Sequence, residues 1–287
     1  VYNIYQSMWR ICGADTTALG KVSMKVRIIV TDSASTGYDM EYTILDILQD
    51  SEDNNNPYAN IQSTIVDAFG KTMVGTTVKF QTNDCGRITE IKNMGQIKQH
   101  VKSGFTDAMK KVFDMPEMQV LKAQGLNLER ITKLVDTEQL VDDYLSELNL
   151  LFAFHGKAYN LGLKHEHEKA TETSYENDTY TTAMIDEQDD SYAVSTEVVN
   201  IIPHESLESV IGEVVKVIAD KKAAKKFIDE VSSNADFSGT VSSYISVNCF
   251  SDGWPYRAVE QETTNIADHS KVSVKRIVLD YISTRNY

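Results

Sequence analysis

Alternation of apolar and polar residues at a period of two constrains this chain more than any other feature. Val22, Met24, Val26, Ile28 and Val30 occupy the even positions between Lys21, Ser23, Lys25 and Arg27. Successive side chains of a strand point to opposite faces, so this run buries one face and wets the other. Tyr38, Met40, Tyr42 and Ile44 repeat the pattern, and its phase then slips through Leu45 and Ile47, as at a β-bulge. Asp32-Ser-Ala-Ser-Thr-Gly37 joins the two runs as a hairpin turn.

Beyond an acidic, Asn-rich loop from Asp50 to Pro57 the period changes. Ile61, Ile65 and Ala68 or Phe69 fall three or four apart, which predicts a helix. Strand signals return at Val74, Val78 and Phe80, then a turn at Asn83-Asp-Cys-Gly86, then Arg87 to Ile91. Gly95 to Leu150 reads as mostly helical. A break is expected at Pro116, and a cap at Asp136 or Thr137 opens a helix through Leu140, Tyr144 and Leu148.

The order then recurs. Tyr159 to Ala170, Tyr175 to Ile185 and Tyr192 to Ile202 read as strands, and Pro203 opens a helix carrying Leu207, Val210, Ile211, Val214 and Val217. A second helix through Phe227 and Val231 precedes strands at Val241 to Phe250, Trp254 to Glu262 and Val272 to Ile282. The expected fold is α+β: long antiparallel sheet packed on helices, in two strands–helix–strands halves, 1–135 and 136–287. The same order fits one continuous domain. If the halves are duplicates, the strands before Ser51 match those from Tyr159 to Ile202. The helices near Ile61 and Leu207 then match, and the turns at Gly86 and Gly253 fall at equivalent hairpins.

Composition narrows the function classes. Asp and Glu outnumber Lys and Arg by 42 to 28, a formal charge of −14 that disfavours a polyanionic partner such as nucleic acid. Cys12, Cys85 and Cys249 lack metal-ligand spacing and allow at most one bridge; Cys85 sits in a turn, whereas Cys12 and Cys249 read as small apolar strand residues. No transmembrane segment is read in this chain, because the most apolar stretch, Leu148 to Leu163, is interrupted by His155 and Lys157. The chain opens on Val1 rather than Met, so a processed or truncated N-terminus is expected.

No G-x-S-x-G, H-E-x-x-H, phosphate-binding or dinucleotide motif is present, and neither catalytic residues nor a cofactor are assigned. His165-Glu-His167-Glu168 is the most suggestive cluster, since two imidazoles on one strand face can ligate a metal. No third ligand is assigned, and a strand end leaving the core explains the same residues. Asp142-Asp143 and Asp189-Asp190 read as a solvated helix face and a hairpin turn, because adjacent side chains diverge. Lys221, Lys222, Lys225 and Lys226 form a basic stripe that suits an anionic membrane surface or the exposed side of an amphipathic helix.

Tyr42-Thr-Ile-Leu-Asp46, the loop to Pro57, Gly70-Lys-Thr72 and Gly86-Arg-Ile-Thr-Glu-Ile91, with Gly253-Trp-Pro255 in the second half, resemble an uncharacterised family of exported bacterial proteins. Its members are usually lipoproteins. The resemblance implies a twisted antiparallel sheet curled around helices, a half-barrel similar to bacterial lipoprotein carriers. It also implies an extracytoplasmic location in the periplasm or envelope, with any lipid-anchor cysteine preceding Val1. It supplies no activity and no site residues.

The leading expectation is therefore a non-enzymatic extracytoplasmic binding module for an apolar or lipid-like ligand. The alternative is a structural or adaptor protein of the cell envelope with an envelope protein as partner. A metal-dependent enzyme resting on His165 and His167 comes last.

Overall fold

The computed structural model describes residues 1–50, 57–119, 122, 128, 136–171, 174–203, 206, 239–266 and 269–280. Its strands are β1 (Tyr2–Cys12), β2 (Asp15–Ala34), β3 (Gly37–Asp50), β4 (Thr77–Asn83), β5 (Ile88–Ile91), β6 (Gly162–Glu168), β7 (Glu176–Ile185), β8 (Tyr192–Ile202), β9 (Gly239–Cys249), β10 (Pro255–Ile266) and β11 (His269–Leu279). The described helices are α1 (Pro57–Met73), α2 (Met94–Phe113), α3 (Thr137–Tyr144) and α4 (Ser146–Leu151), with a 3₁₀ turn at Pro116–Met118.

All eleven strands form one antiparallel sheet in the order β5-β4-β3-β2-β1-β11-β10-β9-β8-β7-β6. Each half is a meander, and the two meanders meet where β1 pairs β11, Tyr2 opposite Leu279 and Ile4 opposite Ile277. Among the described residues the sheet is curled and not closed, with β5 and β6 as its edges. Strand twist and bulges supply the curl. One bulge leaves Leu45 unopposed between the pairs Lys25–Asp46 and Val26–Ile44, at the place where the alternation slips.

The helices cover the inner face. Tyr2, Ile4, Val26, Ile28, Met40, Tyr42, Ile44, Val78 and Phe80 pack there with Ile97 and Val101 of α2, Val141 and Tyr144 of α3, and Leu148 and Leu151 of α4. Burying each large side chain contributes about 1.5–3 kcal/mol, which makes this layer the main stabilising contact. α1 and α2 approach closely at Gly104, where a Cβ would lie 2.8 Å from Met73 Cε. Asp136 caps α3, its carboxylate accepting from the Glu138 N–H at 2.8 Å.

Several expectations need correction. The strand expected over Tyr159 to Ala170 spans only Gly162–Glu168: Tyr159 instead turns back to pack edge-on against Phe154, with ring centroids 5.7 Å apart. β4 starts at Thr77, because the Val74 N–H still closes α1 onto Gly70 O at 3.1 Å and Gly75, at φ +83°, then turns the chain, its N–H donating to Ile44 O of β3 at 2.8 Å. The single helix expected through Leu148 is interrupted at Leu145, whose φ of −91° and ψ of 1° leave the helical range. Cys12 lies in a strand as expected but is exposed at its end, whereas Cys249 is buried; all three cysteines are free. The helices expected around Leu207, Phe227 and Val231, and the basic stripe from Lys221 to Lys226, lie outside the described residues. The helix half of the proposed duplication rests on Leu207 and falls there too.

Candidate functional site

Two turns of matching chemistry come together at one end of the curled sheet. In the β4–β5 turn, Asn83 Oδ1 accepts from the N–H groups of Cys85 at 3.1 Å and Arg87 at 2.9 Å. The Gly86 N–H closes the turn onto Asn83 O at 3.0 Å, with Gly86 at φ +77°. In the β9–β10 turn, Asp252 Oδ1 accepts from the Trp254 N–H at 2.9 Å. The Gly253 N–H donates to Phe250 O at 2.9 Å, with Gly253 at φ +85°. Asn and Asp side chains stabilise such reversals by capping backbone N–H groups two residues on, and glycine accepts the left-handed backbone.

His155 bridges the two. It lies just past α4, after Phe152, and its Nε2 sits 2.9 Å from Gly253 O. A carbonyl only accepts, so Nε2 carries the proton of the neutral ring and Nδ1 is the bare nitrogen. On the other side the imidazole lies against Gly86, where a Cβ would be 2.6 Å from His155 Cδ2. Gly156, at φ +68°, is likewise pressed against Arg87, a Cβ there falling 2.5 Å from Arg87 Cβ. Burial lowers the His155 pKa, against the opposing pull of the Gly253 and Phe152 carbonyls, so the ring is neutral at pH 7.

Around this bridge opens a cleft of about 480 Å³. Val30, Tyr38, Met40, Phe152, Tyr192 and Trp254 supply apolar and aromatic walls, and Asp84 and Asp252 stand on the two turns. Phe152 is the hub: its ring meets Phe80 edge-on at 5.8 Å, Trp254 at 6.5 Å and His155 at 5.0 Å. The volume falls in the range of small-molecule sites, roughly 300–1,000 Å³.

Nucleophilic chemistry is poorly served here. Asp84 holds the Cys85 thiol above its usual range by charge and hydrogen bonding. Cys249, behind the cleft, is pushed up to about 11 by burial. A thiol must ionise to attack, and both are biased toward the neutral form. α4 is fixed from below by Lys275, whose Nζ lies 3.2 Å from Glu147 and 3.4 Å from Glu260 and donates to Ser146 Oγ at 2.8 Å.

His165 and His167 lie elsewhere. They share the outer face of edge strand β6, opposite to the face that carries Tyr192 and the cleft. Both rings donate to one oxygen, Asp178 Oδ1, at 2.8 and 3.2 Å, and His165 stacks on Tyr180 at 4.5 Å. Among the described residues, no group of three or more His, Cys, Asp or Glu is disposed around a common metal position. Asp142 and Asp143 are exposed on α3, and Asp189-Asp190 forms the β7–β8 turn. No described helix is long and apolar enough to cross a membrane.

His155 was visible in the sequence only as an interruption of an apolar run. The turns were visible, and their Asp and Gly chemistry was the available signal.

No family model matches the chain, and no curated protein does. Among solved structures it is similar to lipovitellin, in a structure described for its lipid–protein interactions. The identity is 11% and the TM-score 0.45, over 97% of this chain and 25% of that one. The chain thus spans about a quarter of the length of that protein.

Proposed function

We propose that this chain is a non-enzymatic, extracytoplasmic binding module for an apolar or lipid-like small molecule, held in the cleft between the Gly86 and Gly253 turns. The observation that carries the reading is the aromatic wall of Tyr38, Phe152, Tyr192 and Trp254 around about 480 Å³ of open space. A smaller cavity of about 300 Å³ under α4 is lined by charged and polar groups such as Glu147, Glu260 and Lys275, so among the described residues the aromatic-walled cleft suits an apolar ligand better. Two carboxylates, Asp84 and Asp252, stand at the mouth of a chain of net charge −14 and favour a neutral or cationic polar end. The extracytoplasmic location rests on the sequence resemblance alone, carried mainly by motifs of the first half and by Gly253-Trp-Pro255 in the second. The raised thiols of Cys85 and Cys249 disfavour cysteine nucleophilic chemistry at this end.

Trp254 reports on the site. Titration with dodecyltrimethylammonium and with dodecyl sulfate, below their micelle thresholds, compares one apolar tail with two head charges. Saturable change in Trp254 emission, absent in Trp254→Phe and stronger for the cationic probe, supports the reading. Native mass spectrometry after gentle purification shows any ligand retained from the cell. Ligand-free protein together with no saturable response to either probe would refute it.

A further inference from the structure

The two edges of the sheet are built differently. β5 is four residues long and leads within three residues into α2, so that edge is blunted by its shortness. β6 is seven residues long, pairs β7 without a register shift, contains no proline, and is exposed at every position. An edge strand offers a row of unpaired N–H and C=O groups to any strand that can lie beside it. Shortness, bulges, proline or like charges usually prevent this, and here only charge is available.

The charges of β6 do not repel a second β6. Lys164 and Glu166 share the inner face and lie 2.9 Å apart as an ion pair, with side chains 61% and 54% exposed. When two copies pair antiparallel about a twofold axis through His165, Lys164 of each faces Glu166 of the other. Leu163, 70% exposed, then faces His167, and Gly162 faces Glu168. A twofold through Lys164 or Glu166 sets that residue against its own copy. One through Leu163 leaves the lysine facing Gly162. Opposite charges directly across an antiparallel pair stabilise it and like charges destabilise it, so the sign pattern selects one register.

We propose that β6 is a self-pairing edge, and that two copies of this chain associate through antiparallel β6–β6 pairing centred on His165. The resulting interface is isologous, as a twofold dimer requires. It lies on a strand that lines no part of the cleft, so it stands or falls apart from the ligand reading.

Sedimentation velocity of the whole chain from about 1 to about 200 µM tests it, a range suited to a weak dimer. The dimer fraction should rise with concentration. Lys164→Glu and Glu166→Lys should each weaken the dissociation constant by about tenfold, because each turns two attractive cross-strand pairs repulsive. The double swap K164E/E166K restores both pairs with the signs exchanged and should return to within about threefold of the parent. Both side chains are exposed, and far-ultraviolet circular dichroism confirms that the variants fold. A monomer across the range, a dimer indifferent to either single change, or a double swap as weak as the singles would each overturn the proposal.

Discussion

His155 Nε2 and the carbonyl oxygen of Gly253 are 2.9 Å apart although 98 residues separate them in the chain. With Gly86 on the other side of the imidazole, this contact ties a hairpin of the first meander to a hairpin of the second. The curled sheet is thereby held at the end where the cleft opens.

Gly86 should accordingly be intolerant of a methyl group. Gly86→Ala places a Cβ 2.6 Å from His155 Cδ2 on a backbone at φ +77°. The left-handed backbone costs about 1 kcal/mol and the clash about 1–3 kcal/mol more. In a His155→Ala background the clash is gone and only the backbone cost remains. Urea unfolding of the four proteins measures the coupling; strict additivity would mean that the two residues do not touch.

His155 also sets an acid dependence. Burial depresses its folded pKa below the 6.5 of the free side chain. The unfolded state therefore takes up the proton first. The contribution to stability is complete above pH 6.5 and is lost as pH falls through the folded value. His155→Gln, which retains a donor toward Gly253, should flatten the stability–pH curve over that window. An unchanged curve would place the responsible group elsewhere.

Period-two alternation made the β2–β3 hairpin and the Leu45 bulge legible, because one face of each strand is buried there and the residue pattern records it. Asp136 was legible for a local reason: a cap needs only the next two residues. The strand end at Tyr159 was misread because Leu161 and Leu163 alternate like core residues yet are 67% and 70% exposed. The bridge at His155 was illegible, since it depends on two turns distant in sequence. So did the place of Lys275, a lysine on the apolar side of β11 whose partner Ser146 lies 129 residues away.

Lys275 is 7% exposed and Glu147 6%, and the pair fixes α4 to the sheet just before Phe152 and His155. Lys275→Met leaves Glu147 buried without its cation, a loss of about 3–5 kcal/mol. Lys275→Met with Glu147→Gln should recover part of it, since only Glu260, the more exposed of the two carboxylates, then lacks its cation. Burial alone would lower the Lys275 pKa, but Glu147 and Glu260 outweigh it and hold it above 10.5. That contribution is therefore complete below pH 10.5 and is lost as pH rises through the folded value. Denaturant titrations at pH 8 and at about pH 11 check both the mutational and the alkaline arm.

Thiol reactivity separates a binding site from a nucleophilic one. Cys249 is buried and raised to about 11, so iodoacetamide should leave it unlabelled in the native protein and modify it only on unfolding. Cys85 is exposed, but Asp84 holds its thiol above the ordinary range by charge and hydrogen bonding. Its labelling at pH 7.5 should therefore be slow for an exposed cysteine. Asp84→Asn should speed it, because removing the carboxylate raises the thiolate fraction. Peptide mass spectrometry of timed reactions reads both sites at once. A Cys85 that reacts faster than a free thiol, and slows on Asp84→Asn, would mean that the cleft activates its sulfur. A binding module has no use for that, and the non-enzymatic reading would fall with it.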